Sequence, residues 1–325
     1  MLRAALLVLL VPACLLAYLT QPLILPATPR AELDADPARL AETVKALTTT
    51  LGPRDASHVK ELDGVAAFLG GQLGAAGGRV SEQPFDVEGR TYRNVIASFG
   101  PVDGERIVVG AHYDTAGARP GADDDASGVA GLLELARLLG DASVGAPSVP
   151  LATRVDLVAF TLEEPPYFAT PDMGSAIHAR RLRADGVRLR AMISLEMIGC
   201  FSDVPGSQRL PAVVLEPFYP SRGNFIAVVG EMGGGLLVRR VKRAMAEASE
   251  LPVRSLNAPH AAPGIDLSDH RNYWDAGYDA VMVTDTAFFR NDHYHQNTDT
   301  ADTLDYRRMA QVVQGVHAAV LELAR

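Results

Sequence analysis

The stretch Ile107-Val108-Val109-Gly110-Ala111-His112-Tyr113-Asp114 decides the architecture. Its apolar and small residues run unbroken up to His112, the pattern of a strand buried on both faces, and such strands belong to sheets covered by helices on either side. Polar side chains enter only at the carboxyl end, where open α/β sheets place their sites. There His112 can offer one ring nitrogen to a metal while Asp114, two residues on and on the same side of an extended chain, fixes the other. Taken alone, a His and an Asp at a strand end are more often structural.

Downstream, Gly121-Ala122-Asp123-Asp124-Asp125-Ala126-Ser127-Gly128 places three carboxylates on a loop before a helix. One of them, or Ser127, would suffice as a helix cap. Three adjacent acids repel one another unless solvated or neutralised, so the run points to a cation, with one carboxylate able to bridge two ions. A second buried-looking strand, 155–161, ends in Leu162-Glu163-Glu164-Pro165-Pro166. Neighbours on a strand point to opposite sides, so one carboxylate can bind metal while the other reaches a bound water. A hydrolytic zinc site needs that division of labour. A third strand, 191–195, delivers Glu196, a carboxylate costly to bury unpaired. Near the carboxyl terminus His293 and His295 are candidates for one ligand, and His270 lies in a polar loop beside Ser268 and Asp269.

Around these segments, apolar residues at three-to-four spacing predict helices over 38–51, 58–73, 127–139, 236–248 and 306–323. Short β-rich runs at 94–98, 106–111, 155–161, 191–195, 225–229 and 280–283 alternate with them. The alternation predicts a three-layer α/β/α sandwich around a central mixed, mostly parallel sheet.

The amino terminus reads differently. A short basic start at Arg3 precedes an apolar run from Ala4 to Leu19, the pattern of an export signal, which predicts an extracytoplasmic protein, periplasmic or secreted. The run is shorter than the about 20 residues of a comfortable membrane span, although Leu23 to Leu25 lengthen it. Three outcomes follow: cleavage after Ala27, retention as an anchor with membrane association through residues 4–25, or lipidation at Cys14. Residues 28–36 read as a linker, and the catalytic domain is expected to span 37–325. The net charge of −9 comes without a long basic run, which argues against a nucleic-acid partner. Cys14 and Cys200 are the only cysteines, so no disulfide framework supports the fold.

Taken together, "AHYD" at 111–114, "GADDDASG" at 121–128, "EE" at 163–164, Glu196 and the "YHQNTDT" of 294–300 resemble the co-catalytic metallo-aminopeptidase family. That family contains bacterial leucyl aminopeptidases and, more distantly, glutaminyl cyclases, glutamate carboxypeptidase and the transferrin receptor ectodomain. The resemblance covers roughly residues 40 to 325. It implies two zinc ions held by His112, Asp124 as the bridge, Glu164, Glu196 and His295, with Glu163 as general base and Asp114 behind His112. Asp125 and His270 are expected beside these ligands. Relatives commonly carry Asp where this chain has Glu196, whose extra methylene would shift or loosen the second metal. The oxyanion-stabilising Tyr that some relatives place before "SDH" is absent here, and Tyr294 takes its place as the candidate. The resemblance implies hydrolysis of N-terminal residues from peptides with a free amine. Competing readings are a glutaminyl-cyclase-like transferase with one zinc, a catalytically silent binding ectodomain and a metal-dependent esterase or phosphoesterase. The loops 205–221 and 257–267 are expected to shape the substrate pocket, and Arg290 is a candidate partner for a substrate carboxylate.

Overall fold

The computed structural model describes residues 16, 18–23, 33–140 and 151–325. The apolar run before residue 16, the lipidation candidate Cys14, the cleavage position at Ala27 and most of the 28–36 linker lie outside these residues. Among the described residues no helix is long and apolar enough to cross a membrane.

Eight strands form one sheet: β1 (Arg79–Val87), β2 (Arg90–Phe99), β3 (Arg106–His112), β4 (Arg154–Phe160), β5 (Leu189–Glu196), β6 (Ile226–Glu231), β7 (Val253–Ala258) and β8 (Ala280–Thr284). Their spatial order is β1-β2-β4-β3-β5-β8-β6-β7. The central four, β4, β3, β5 and β8, run parallel, while β1, β2 and the β6–β8 pairing are antiparallel. The central strands alternate between two cores: Ile107, Val109, Leu157, Ile193 and Val281 face one, and Val108, Val158, Met192 and Met282 face the other. Period-two alternation with apolar residues on both faces is what a sheet between two helical layers requires. One layer holds α1 (Pro37–Lys45), α2 (Val59–Ala75), α3 (Gly128–Gly140), α5 (Gly235–Ala248) and α7 (Tyr306–Leu323); the other holds α4 (Gly174–Ala184) and α6 (His270–Asp275). The expected α/β/α sandwich with a mixed, mostly parallel sheet is therefore the observed fold.

The helix starts follow local chemistry. Asp36 accepts from the Ala38 amide with Pro37 in the first turn, and Asp305 accepts from the Arg308 amide ahead of α7. The first helix continues past Lys45 as a wider-turned segment, Ala46–Thr50, so its reach matches the expected 38–51. Four elements are not apparent in the sequence pattern. Edge strand β1 is mostly exposed and contains Pro84, which an edge tolerates, and α4 is a polar, Arg-rich helix. Strand β7 and the six-residue α6 are too short for a periodic signal. The domain also starts earlier than Pro37: Ala35 is buried, and the amides of Asp34 and Ala35 donate to the Gln314 side chain.

Gly110 sits in β3 against the Phe160 ring at the end of β4, which is itself packed by His178 and Tyr273. A Cβ at Gly110 would overlap that ring, and the surrounding packing leaves the ring little room to move. Gly110→Ala is expected to cost about 1–3 kcal/mol of unfolding free energy, read as a lower denaturation midpoint with unchanged slope.

Candidate active site

The parallel strands β3, β4 and β5 end side by side and deliver His112, Glu163 and Glu196 to one edge of the sheet. Two turns that follow strands pass through left-handed backbone at non-glycine residues, Leu162 (φ 60°) before Glu163 and Met197 (φ 52°) after Glu196. His295 (φ 55°) is a third. Such conformations cost about 1–3 kcal/mol each and persist where surrounding structure imposes them.

The loop before α3 supplies Asp124 from Gly121, whose φ of 57° suits glycine. The Asp124–Asp125 peptide is cis. Each acid of the triplet has its own duty. Asp125 accepts from the amides of Gly128, Met197 and His112, tying α3, the end of β5 and the end of β3 together. Asp123 accepts from the Gly199 amide and the Asn291 side chain. Asp124 alone turns toward the imidazoles: its Oδ1 lies 3.3 Å from His112 Nε2 and its Oδ2 3.1 Å from His295 Nε2. Glu196 Oε2 is 3.6 Å from His112 Nε2, and Glu164 Oε2 is 3.1 Å from His295 Nε2. The five expected ligands thus form one cluster arranged as two sets that share Asp124.

Asp114 fills its expected place by an unexpected route. Its carboxylate accepts from the amides of Glu163 and Glu164 at 3.1 Å each, while His112 Nδ1 is closer to the Asp114 backbone carbonyl (3.2 Å) than to the carboxylate (3.7 Å). Donation from Nδ1 to that carbonyl leaves Nε2 free to bind a cation.

The electrostatics are those of crowded ligands. Burial raises Asp124, but the adjacent His112 and His295 imidazoles win and hold it well below the carboxylate range. Burial and the charge of Asp124 push Glu164 up to about 7. Burial opposes protonation of His295, yet the adjacent Asp124 and Glu164 carboxylates raise it to about 10. Burial, with Glu196 and Glu164, drives Glu163 well above its ordinary value against the pull of His112. Among the described residues, His112 Nε2, Asp124 Oδ2, Glu164 Oε1, Glu196 Oε2 and His295 Nε2 are buried without a hydrogen-bond partner. Buried polar atoms rarely stay unpaired, and this set, two imidazoles and three carboxylates, fits zinc.

Other candidates are placed as follows. Tyr294 stacks on His295 with ring centres 3.8 Å apart, and burial together with Asp124 and Glu164 raises its hydroxyl well above the usual value. His293 lies outside the cluster, against the Thr298 hydroxyl. His270 is not behind the ligands as expected. Its Nε2 donates to the Ile265 carbonyl and its ring meets Trp274 edge-on, so it is a core histidine, held neutral to about 4 by burial. The preceding Asp269 is the one that faces the cluster: fully buried, raised to about 7 by that burial, and within the electrostatic reach of His112 and Glu196. Arg290 does not reach for substrate; it is buried between the Phe201 and Phe225 rings and donates to Cys200 and Gln208.

Two groups escaped the sequence reading. Asp299 accepts from the amides of Asp123 and Asp124 and so sets the triplet. Arg54, fully buried, donates to the carbonyls of Leu47, Tyr113 and Gly121 and brings a positive charge beneath the acidic loop. A weak cue for Asp299 existed in its place after the His-rich stretch; Arg54 had none.

Two hollows flank the cluster. A narrow polar one is bounded by Arg119, Asp124, Glu164, His295 and Asp299. An apolar one beside Glu196 is lined by Leu215, Phe225, Val229, Met282, Phe288 and Phe289 among others. Its wall comes from both expected loops, through residues such as Leu210 and Tyr219 in the first and Gly264 and Leu267 in the second.

Adding zinc to chelator-stripped protein should raise its melting midpoint, since a ligand bound only by the folded state stabilises by about 2.7 kcal/mol at a hundredfold excess over its dissociation constant. Asp299→Ala should weaken that rise by disordering the Asp124 loop. An unchanged midpoint in the parent protein would show that the cluster holds no zinc.

Comparison with known proteins agrees with this geometry. The family model described as Peptidase family M28 matches residues 94–320. The chain is 47% identical over 300 residues to the uncharacterized protein YfbL of Escherichia coli K12, covering 90% of this chain and 89% of that one. In structure it is similar to BSAP, a zinc aminopeptidase from Bacillus subtilis, with a TM-score of 0.69 at 16% identity over 89% of this chain and 95% of that one. It is similar as well to a glutaminyl cyclase of Bacteroides thetaiotaomicron, with a TM-score of 0.65 at 21% identity over 90% and 98%. The matched region contains every residue of the ligand cluster, and the chain belongs to peptidase family M28.

Proposed function

We propose that this zinc peptidase is an aminopeptidase that works with two zinc ions and uses Glu163 to carry the proton. The observation that carries the reading is the placement of Asp124, whose two carboxylate oxygens face two different imidazoles. A carboxylate so placed is suited to bridging a pair of cations, one with His112 and Glu196 and the other with Glu164 and His295. Zinc held there would polarise the scissile carbonyl and make a water acidic enough to lose its proton near neutral pH.

The chain's own groups supply the rest. Glu163 is buried at the cluster, and its backbone amide is fixed by Asp114. It takes the proton of the attacking water and returns one to the leaving amine. The Tyr294 hydroxyl, positioned by the stack on His295, donates to the oxygen where negative charge develops. The acidic surroundings attract the free α-amine of a peptide. The apolar hollow next to Glu196 receives the first side chain, favouring bulky aliphatic or aromatic residues.

Zinc titration followed by metal analysis should give two ions per chain, and a zinc-bound structure should place them about 3.5 to 4 Å apart. Hydrolysis of leucyl and phenylalanyl amides should exceed that of glycyl and glutamyl amides. One ion in excess zinc, with cyclisation of N-terminal glutamine, would assign the chain to the cyclase reading instead.

Glu163→Gln retains volume but cannot accept the proton, so kcat should fall by about 10² to 10⁴ while zinc content is kept. Near-normal turnover would remove Glu163 from this role. Loss of zinc would exchange the duties of Glu163 and Glu164.

A further inference from the structure

The β7 edge of the sheet carries a groove that is filled by the chain's own amino-terminal segment. Four carbonyls of that segment are each met by a side chain of the domain. Tyr18 O accepts from Asn257 (3.0 Å), and Thr20 O accepts from Lys242 Nζ (2.7 Å) and the Ser255 hydroxyl (2.8 Å). Gln21 O accepts from Lys242 Nζ (2.8 Å), and Pro22 O from Arg239 (3.3 Å). The Tyr18 hydroxyl accepts from the Gly233 amide (2.8 Å), and the Tyr18 ring lies over Gly235, where a Cβ would crowd it. Asn257 and Ser255 are almost fully buried, and Lys242 is only 6% exposed. Among the described residues no carboxylate pairs with that lysine; the two carbonyls and Ser255 are its partners. A buried ammonium without a counter-ion needs such acceptors, and residues 20 and 21 supply them.

We propose that residues 18–23 are a fixed part of the folded domain and that the apolar run before them is kept as a lipid anchor rather than removed. Three further observations point to lipid as the partner of that run. The Tyr18 end of the segment lies at Gly233, and two residues near it in the chain are apolar and exposed, Met232 at 47% and Leu236 at 80%. Helix α5 next to it carries Arg239, with Arg254 close by on β7, two exposed cations suited to anionic headgroups on a chain whose net charge is −9, while Arg240 and Arg243 further along the helix pair with Glu322 and Glu247. The direction is also suitable. Strand β6 runs antiparallel to β8, with Gly230 opposite Val281 and Ala227 opposite Thr284. Gly233, and with it the Tyr18 end of the segment, therefore lies at the end of the sheet away from Glu196 and Thr284.

The test uses the full chain expressed in bacterial cells, with membranes separated and the protein recovered analysed by intact mass and amino-terminal sequencing. The expected result is a membrane-bound species that resists alkaline carbonate, is released by detergent and retains residues upstream of Tyr18. A soluble species beginning at or after Leu23 would overturn the proposal. In detergent, Tyr18→Ala and Lys242→Met should each lower the melting midpoint by about 2–4 °C for every fivefold loss in folding equilibrium. Midpoints equal to the parent in both variants would mean that the segment is not docked, and would overturn the proposal even if the anchor is retained. Peptidase activity of the recovered protein is a separate readout, so failure here leaves the aminopeptidase reading untouched.

Discussion

The site is governed by one constraint: many carboxylates must be buried in a small volume without repelling the fold apart. Asp114, Asp123, Asp124, Asp125, Glu163, Glu164, Glu196, Asp269 and Asp299 are all buried. The chain divides them. Asp114, Asp123, Asp125 and Asp299 accept from backbone amides and act as pins between loops that share no strand or helix. Bonds of this kind to a charged acceptor contribute about twice what neutral ones do. Asp124, Glu164 and Glu196 are left over with two imidazoles, and their compensation has to come from cations. Arg54 adds a fixed positive charge below, bound to three carbonyls rather than to any single acid. The ligand set is therefore drawn from the carboxylates the backbone does not claim, a remainder that also includes Glu163 and Asp269.

Much of this was legible in the sequence. Strands such as 107–111 announce themselves by unbroken apolar runs, and the ligands follow them because polar residues at a buried strand's carboxyl end have few other reasons to be there. Asp124 could be picked from its triplet only through family resemblance, since periodicity says nothing about which of three adjacent acids turns inward. His270 and Asp269 show the limit most clearly. One residue of register decides which of them faces the cluster, and that register is set by a six-residue helix too short to leave a pattern. Arg54 and Asp299 act through backbone carbonyls and amides, which every residue has, so nothing local in the sequence marks their partners. Strand β1 was hidden for a different reason: at an edge, exposed and containing Pro84, it is not held to the apolar composition of the inner strands.

The two hollows beside the cluster have different characters because different parts of the chain build them. The polar one belongs to the loops that also hold the ligands, so its shape is tied to metal chemistry. Apart from Glu196 at its edge, the apolar one is made by segments 208–219, 255–256, 264–267 and 286–289 together with strands β6 and β8, none of which supplies a ligand. Changes in that wall can alter what fits without disturbing the carboxylate pins, a separation of chemistry from selectivity that suits a scaffold found in relatives with different named activities.

The ligands extend along the chain from position 112 to position 295, and the pin that orients Asp124 comes later still, at Asp299. A growing polypeptide cannot assemble this centre piecemeal, because any fragment that stops before position 295 lacks an imidazole and any that stops before 299 lacks the clamp on the bridging acid. Metal capture is therefore a late event in the life of each molecule, and the tightness with which zinc is held reports that the final segment has closed over the earlier ones. A chain interrupted between Glu196 and His295 would carry most of the acids but lack the second imidazole and the Asp299 clamp.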